Sequence, residues 1–251
     1  MNEAAVLFRK YAKESGVEIS PAQLDLFSRY ADLLGEWNRK INLTAVRDPE
    51  GIASKHFLDS VLLLHYAQIP QGAKVIDIGT GAGFPGIPLK ILRPDLQLTL
   101  LDGLNKRLVF LAALLKELNF SAELVHARAE EAARQKQYRQ QYDFAAARAV
   151  APMPALCEYC LPFLKNGGVF AAMKGPDAEA ELESAQRAVA ALGCSAGPHF
   201  SYRLPAGDGR SLLLFRRTGP LPDQYPRHGS KIAKSPLLSI SKQKEAKKKH
   251  D

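Results

Sequence analysis

The run Asp77-Ile78-Gly79-Thr80-Gly81-Ala82-Gly83 limits what this chain can fold into more than any other stretch. It grows out of the apolar run Val75-Ile76-Asp77-Ile78 and leads into a segment of helical spacing from Gly86 to Leu92. Glycine at alternate positions lets a backbone turn tightly and approach a ligand without side-chain collisions. The helix end beyond it offers unpaired N–H groups and the positive end of a dipole to a carboxylate or phosphate. Asp102 ends the next apolar run, about twenty residues further on, where a carboxylate can accept from both hydroxyls of a ribose. Strand, glycine loop, helix and acid in that order point to a doubly wound α/β sheet around a nucleotide-like ligand.

The rest of the chain supplies such a sheet. Leu98–Leu101, Ala122–Val125, Phe144–Ala147 and Val169–Met173 read as further buried strands. Helical patterns at Lys106–Leu118, Glu130–Tyr138, Met153–Leu164 and Asp177–Leu192 separate or follow them, the spacing of βαβ units. Ser201–Leu204 and Ser211–Phe215 then predict an antiparallel hairpin closing the sheet, which suits a methyltransferase better than a dehydrogenase. Ahead of the sheet, Ser20-Pro21-Ala22-Gln23 is a capping box with proline at the first helical position. Leu24, Phe27, Tyr30, Ala31 and Leu34 follow at helical spacing, and a second helical stretch runs from Pro49 to His65. The predicted organisation is an N-terminal helical cap (residues 1–70), a ligand-binding α/β domain (71–218) and a basic tail (219–251).

With 251 residues and 46% hydrophobic content the chain can bury one α/β core and a modest extension. The net charge of +8 is concentrated, since ten Lys and Arg against three acids lie from Arg216 onward. A basic tail on a nearly neutral body points to a polyanionic partner. No apolar run reaches the roughly 18 residues of a membrane helix, and the N-terminus lacks a signal-peptide pattern, so no membrane partner is expected. Three cysteines are an odd set for a disulfide scaffold, which favours a reducing cytoplasm. Cys157 and Cys160 form a CxxC on a predicted helix without a second pair, so no metal site is expected.

Two cofactors fit the loop. Gly81-x-Gly83-x-x-Gly86 also matches a dinucleotide fingerprint, so NAD and an oxidoreductase stand as the alternative. Pro85 has no N–H to offer a pyrophosphate, and Asp77 would oppose one; Asp77 suits the amino group of S-adenosylmethionine (SAM) instead. Ala129 and Glu130, after the third strand, can meet an adenine edge. The fourth and fifth strands end in Arg148 and Lys174, two cations at the rim where open α/β sheets bind ligands. Beside a cationic sulfonium they make sense if a phosphate or a guanine O6/N7 edge enters there. The position after the fourth strand, Arg148-Ala149-Val150-Ala151-Pro152, carries no Asn/Asp-Pro-Pro acceptor for an exocyclic amine. Guanine N7 needs none, because its in-plane lone pair is already exposed.

Several runs together resemble the RsmG (GidB) family of bacterial 16S ribosomal RNA guanine-N7 methyltransferases. They are Trp37-Asn38 with Asn42-Leu43-Thr44, Lys55 to Ser60, Asp77 to Leu89, Lys106-Arg107, Arg128-Ala129-Glu130, Arg148 to Ala151, Lys174-Gly175 and Tyr225-Pro226-Arg227. The resemblance implies a class I SAM-dependent methyltransferase fold, Rossmann-like and mostly parallel. It implies SAM contacts at Gly79, Phe84, Ala129, Glu130 and Arg148, with Asp102 near the ribose and Gly103 and Leu104 beside it. Gly81 and Gly83 complete the expected cofactor set with Asp77, and Arg148 and Lys174 are the expected catalytic pair. Arg128, Lys174, Arg210 and Arg227 are the implied RNA contacts. The implied partner is 16S ribosomal RNA or the small ribosomal subunit, met by a cytoplasmic monomer. A non-catalytic RNA-binding assembly factor is the further alternative.

Overall fold

The computed structural model describes residues 1–238; the Lys-rich run from Lys242 lies outside the described residues. Two helices open the chain. In α1 (Glu3–Glu14) the Asn2 side chain caps the first turn, and Ala4, Ala5, Phe8, Tyr11 and Ala12 are buried along one face. In α2 (Pro21–Asn38) both halves of the Ser20/Gln23 capping box form, as the sequence predicts. After α3 (Pro49–Gly51) the chain widens into a π-helical turn, Ile52–Leu58, before α4 (Asp59–Tyr66). Phe8, Phe27 and Phe57 bring these helices together, with ring centroids 4.4 to 5.6 Å apart.

The sheet follows. Its strands are β1 (Lys74–Ile78), β2 (Gln97–Asp102), β3 (Glu123–His126), β4 (Tyr142–Arg148), β5 (Leu164–Lys174), β6 (Cys194–Arg203) and β7 (Gly209–Arg217). They lie in the order β3-β2-β1-β4-β5-β7-β6, with β1 to β5 parallel and β7 inserted antiparallel between β5 and β6. Between strands run α5 (Gly86–Leu92), α6 (Asn105–Leu118), α7 (Ala129–Ala132), α8 (Met153–Cys160) and α9 (Ala178–Ala191), and α10 (Gly229–Lys234) comes last.

Successive strand residues face opposite sides, and the core divides accordingly. Val75, Leu98, Leu100, Phe144 and Ala146 share one apolar cluster with α1, α2, the π turn, α5 and α6. Ile76, Ile78, Leu101, Ala145 and Ala147 share the other with α8 and α9. The N-terminal helices therefore bury their apolar faces in the same core as the sheet.

Several predicted elements differ in extent, and β5, expected at Val169–Met173, begins as early as Leu164. The strand expected at Ser201–Leu204 runs from Cys194 to Arg203. It is an edge strand, largely exposed between Ser195 and His199, with a register shift between Ala196 and His199, so no buried apolar run marks its first half. The helix expected to reach Tyr138 stops at Ala132 and gives way to turns. The helix expected to reach Leu164 ends at Cys160 and tightens into a 3₁₀ turn over Leu161–Phe163, where Pro162 lacks an N–H to continue the ladder. Among the described residues no helix is long and apolar enough to cross a membrane.

Candidate active site

The carboxyl ends of β1, β2, β4 and β5 converge where β1 passes from its β2 neighbour to its β4 neighbour, the switch point of a doubly wound sheet. The glycine loop turns there. Gly79 (φ +68°) and Gly81 (φ +61°) both use the left-handed region that favours glycine. A Cβ on Gly79 would stand 2.7 Å from Val150 Cγ2. Asp77 lies fully buried beneath the loop. Its Oδ2 accepts from the Thr80 hydroxyl at 2.7 Å and the Gly86 N–H at 2.9 Å, while Oδ1 has no partner among the described residues. Burial raises its carboxyl to about 6, against these two hydrogen bonds.

Asp102 faces the loop from the next strand. Its Oδ2 accepts from Gly81 N and its Oδ1 from Leu104 N, each at 2.9 Å, and Arg107 Nη1 stands 3.1 Å away. Around it opens a cavity of about 390 Å³ whose wall includes Gly103, Leu104, Arg128, Ala129, Glu130 and Tyr159. A second cavity, about 500 Å³, lies on the other side of Gly79 and is walled by Lys55, His56, Phe84, Arg148, Lys174 and Arg210. Gly79, Arg107 and Ala149 line both. Ala149 holds φ +55°, a strained region for a residue with a Cβ, at the turn that puts Arg148 on one cavity and Val150 on the other.

Arg148 is fixed from three directions. Nη1 donates to the Lys55 carbonyl at 2.7 Å and to Asp59 Oδ2 at 3.2 Å; Nη2 donates to His56 Nδ1 at 3.1 Å. The guanidinium also stands 5.1 Å over the Phe84 ring, which stacks on His56 at 4.5 Å. The π turn makes this possible, because its wider winding presents the Lys55 carbonyl, His56 and Asp59 to one cavity. His56 receives Arg148 on Nδ1, which assigns its proton to Nε2 and donates it to Thr44 Oγ1 at 2.8 Å. Burial, with the Arg148 charge behind it, lowers His56 to about 3, so the ring is neutral at physiological pH. Asp59, 1% exposed, also accepts from the Tyr202 hydroxyl at 2.8 Å and lies 3.7 Å from Arg210 Nε. Lys174 pairs with Glu181 at 2.6 Å.

The family model for rRNA small subunit methyltransferase G (GidB) matches residues 23–198. The chain belongs to the GidB family. A relative from Desulforamulus reducens, a ribosomal RNA small subunit methyltransferase G, is 43% identical over 94% of this chain and 100% of its own length. Relatives of the same name from Desulfitobacterium hafniense and Halalkalibacterium halodurans are each 44% identical, over 93% and 92% of this chain and 97% and 98% of theirs. Two solved structures share the fold. The cyclase SpnF is 16% identical, with a TM-score of 0.51 over 64% of this chain and 80% of its own. TrmN from Thermus thermophilus is 17% identical, with a TM-score of 0.50 over 66% and 53%.

SAM is the cofactor of a GidB methyltransferase, and the residues present fit it. The loop offers a cradle that a side chain at Gly79 would fill, and Asp77 Oδ1 waits beneath it without a partner among the described residues. The expected cofactor set divides over the two cavities: Asp102, Gly103, Leu104, Ala129 and Glu130 on the smaller, Gly81, Phe84 and Arg148 on the larger, Gly79 on both. Asp77 and Gly83 wall neither; Gly83 packs inward, where a Cβ would meet Ile87 at 2.8 Å and Tyr30 Oη at 2.9 Å. Lys174 and Arg210 stand with Arg148, and Arg128 stands by the smaller cavity. Arg227 reaches neither, since its guanidinium grips Glu158.

His56 and Asp59, which stand in the sequence only within the run Lys55 to Ser60, line the larger cavity and also tie the π turn and α4 to Arg148. Sequence reasoning named Arg107 and Thr44 only within runs that carry the family resemblance, with no role, and did not name Tyr202. A tyrosine on an exposed edge strand carries no pattern that signals a site. Arg107 could have been found from its place one turn into the helix after Asp102.

Proposed function

We propose that the protein transfers the methyl group of SAM to N7 of a guanine in 16S ribosomal RNA. When bound, SAM supplies an electrophilic methyl on a cationic sulfonium that leaves as a neutral thioether, the C–S electron pair staying on sulfur as N7 gives its lone pair to carbon. The observation that carries this reading is the larger cavity's wall, which is cationic and, among the described residues, has no carboxylate left without a cation to act as base. Asp59 is held by Arg148 and Arg210, and Glu181 by Lys174. His56 is neutral but has both ring nitrogens engaged. Cys157, Cys160 and Cys194 are buried thiols, each pushed up by desolvation, and none lines either cavity. An exocyclic amine or a pyrimidine carbon would need such a base or nucleophile. N7 is a lone pair with no proton to lose.

The chain's own groups then have positional work. Two of the five N–H groups of Arg148, Nε–H and one on Nη2, have no protein partner among the described residues, and in the cavity that Arg148 lines they serve the guanine O6, which leaves the N7 lone pair free for the methyl group. Asp102 and Glu130 hold the nucleoside end, and Phe84 walls the larger cavity beneath the Arg148 guanidinium. Arg128, Lys174 and Arg210 receive phosphates around the mouth. The enzyme works as a monomer in the cytoplasm, on 16S ribosomal RNA or the assembled small subunit.

The test supplies purified protein, SAM and small subunits from cells lacking the gene, then maps every 16S methyl group by mass spectrometry. A new 7-methylguanine at one site is expected. Methylation at an exocyclic amine, or no change in any guanine, overturns the reading.

A further inference from the structure

Past Arg217 the chain folds back along α8, beyond the residues 23–198 that the family model spans. This return segment is tied down with unusual density. Leu221, Tyr225 and Leu237 enter the apolar cluster of α8 and α9. Arg134 donates to the Pro226 and Gln224 carbonyls, and Arg139 to the Tyr225 carbonyl at 2.6 Å. Arg227 answers from the segment itself. Its backbone N–H and Nε reach Glu158 Oε1 at 2.7 and 2.9 Å, and its Nη2 reaches Oε2 at 2.8 Å; Glu158 is wholly buried. The next residue on α8, Tyr159, lines the smaller cavity.

Two residues beyond Arg227 the segment meets the cavity wall from behind. A Cβ built on Gly229 runs into Glu130 Oε1 and stands 3.0 Å from Cδ and 3.5 Å from Cγ. Glu130 is itself 8% exposed, and its only charged partner among the described residues is Arg128 at 3.9 Å. Neither ion pairing nor a close hydrogen bond therefore fixes its carboxylate. The bare backbone of Gly229 does so sterically.

We propose that Arg227 and Gly229 are positioning residues for the nucleoside cavity: Arg227, clamped on Glu158, holds Gly229 against Glu130 and sets where the Glu130 carboxylate points. The inference rests on Glu130 being a cofactor contact. It also accounts for an arginine that reaches neither cavity. Arg227 serves the cofactor end of the reaction through two intermediaries and leaves the RNA to others.

Substitution of Gly229 by Ala tests this, with KM for SAM and kcat on small subunits read beside a calorimetric Kd for S-adenosylhomocysteine. Gly229 opens a helix and its Cβ would meet the tip of a flexible side chain, so Tm is expected to move little. Displacing the carboxylate raises KM and Kd by about tenfold, the loss of one hydrogen bond to a charged group, with kcat little changed. Arg227→Lys, which keeps the charge and loses the fork, moves the same constants by a second route. Glu130→Ala raises them too, and neither variant adds to it in the double mutants. A rise in Glu130→Ala with none in Gly229→Ala overturns the positioning role and leaves Glu130 a cofactor contact. A Gly229→Ala effect that persists on the Glu130→Ala background overturns it in favour of general packing. Unchanged affinity in Glu130→Ala removes the contact, and the inference falls with it.

Discussion

One carboxylate, Asp59, holds side chains from three separate elements: Arg148 at the end of β4, and Tyr202 and Arg210 on the β6–β7 hairpin. Its removal leaves two arginines without their anion but keeps the shape of the cavity. Asp59→Asn is therefore expected to lower kcat by roughly tenfold to a hundredfold, the cost of loosening a charge-assisted bond to a positioned group, with KM for SAM moving less. Steady-state kinetics on small subunits check it, and a fall in cofactor affinity alone would place Asp59 in binding. His56 carries a different signature. Its folded pKa of about 3 lies below the ordinary 6.5, so the unfolded chain binds the extra proton first as the solution is acidified. Neutral His56 thus contributes stability that is fully present above pH 6.5 and lost as pH falls towards 3. Between pH 6 and 5 the wild type is expected to lose up to about 1.4 kcal/mol more than His56→Asn, measured by denaturant unfolding. Parallel curves for the two proteins would show that His56 does not titrate on unfolding.

The glycine loop binds by the shape of its backbone, and its sharpest constraint is at Gly79. Alanine there meets two obstacles, a left-handed φ that costs about 1–2 kcal/mol and a Cβ placed 2.7 Å from Val150 Cγ2. Gly79→Ala is expected to raise KM for SAM by about tenfold or more, and Gly79→Ala/Val150→Ala to recover only the steric share. Full recovery in the double variant would mean that the backbone relaxes at no cost. This loop was legible in the sequence because glycine spacing and the apolar strand before it are local signals. The five parallel strands were legible for the same reason, each being a short apolar run. The π turn was not, since no local sequence pattern marks its wider winding, and the groups it presents meet Arg148 and Phe84 far along the chain. The first half of β6 was hidden because an edge strand facing water needs no apolar run. The Arg227–Glu158 pair was not legible either, because a lone cation in a sequence looks alike whether it meets an RNA phosphate or a buried carboxylate.

Across the whole molecule that last point changes what the net charge of +8 means. Of the ten cations from Arg216 onward, Arg216 donates to the Gly167 carbonyl, Arg217 to the Leu164 and Gly219 carbonyls, and Arg227 to Glu158. These charges hold the hairpin and the return segment in place. Among the cations expected to meet RNA, Arg128 differs in kind: its side chain is 66% exposed and its one acidic neighbour among the described residues is 3.9 Å away, whereas Lys174 and Arg210 also face Glu181 and Asp59. RNA affinity should therefore follow the mouth and ignore the return segment. Removing a cation that neutralises one phosphate flattens the plot of log affinity against log salt by roughly 0.7 to 0.9. Arg128→Ala is expected to reduce the slope by about that much while leaving Tm within a degree or two, because an exposed pair contributes little to folding. Arg227→Ala is expected to do the reverse. It strands a fully buried carboxylate, which costs about 3–5 kcal/mol and lowers Tm by roughly 6–20 °C, yet the salt slope stays as it was. Binding of a 16S fragment measured from about 50 to 200 mM salt, beside thermal melts, separates the two residues. A smaller slope for Arg227→Ala would return that arginine to the RNA interface, and with it the formal charge as a direct measure of the binding surface.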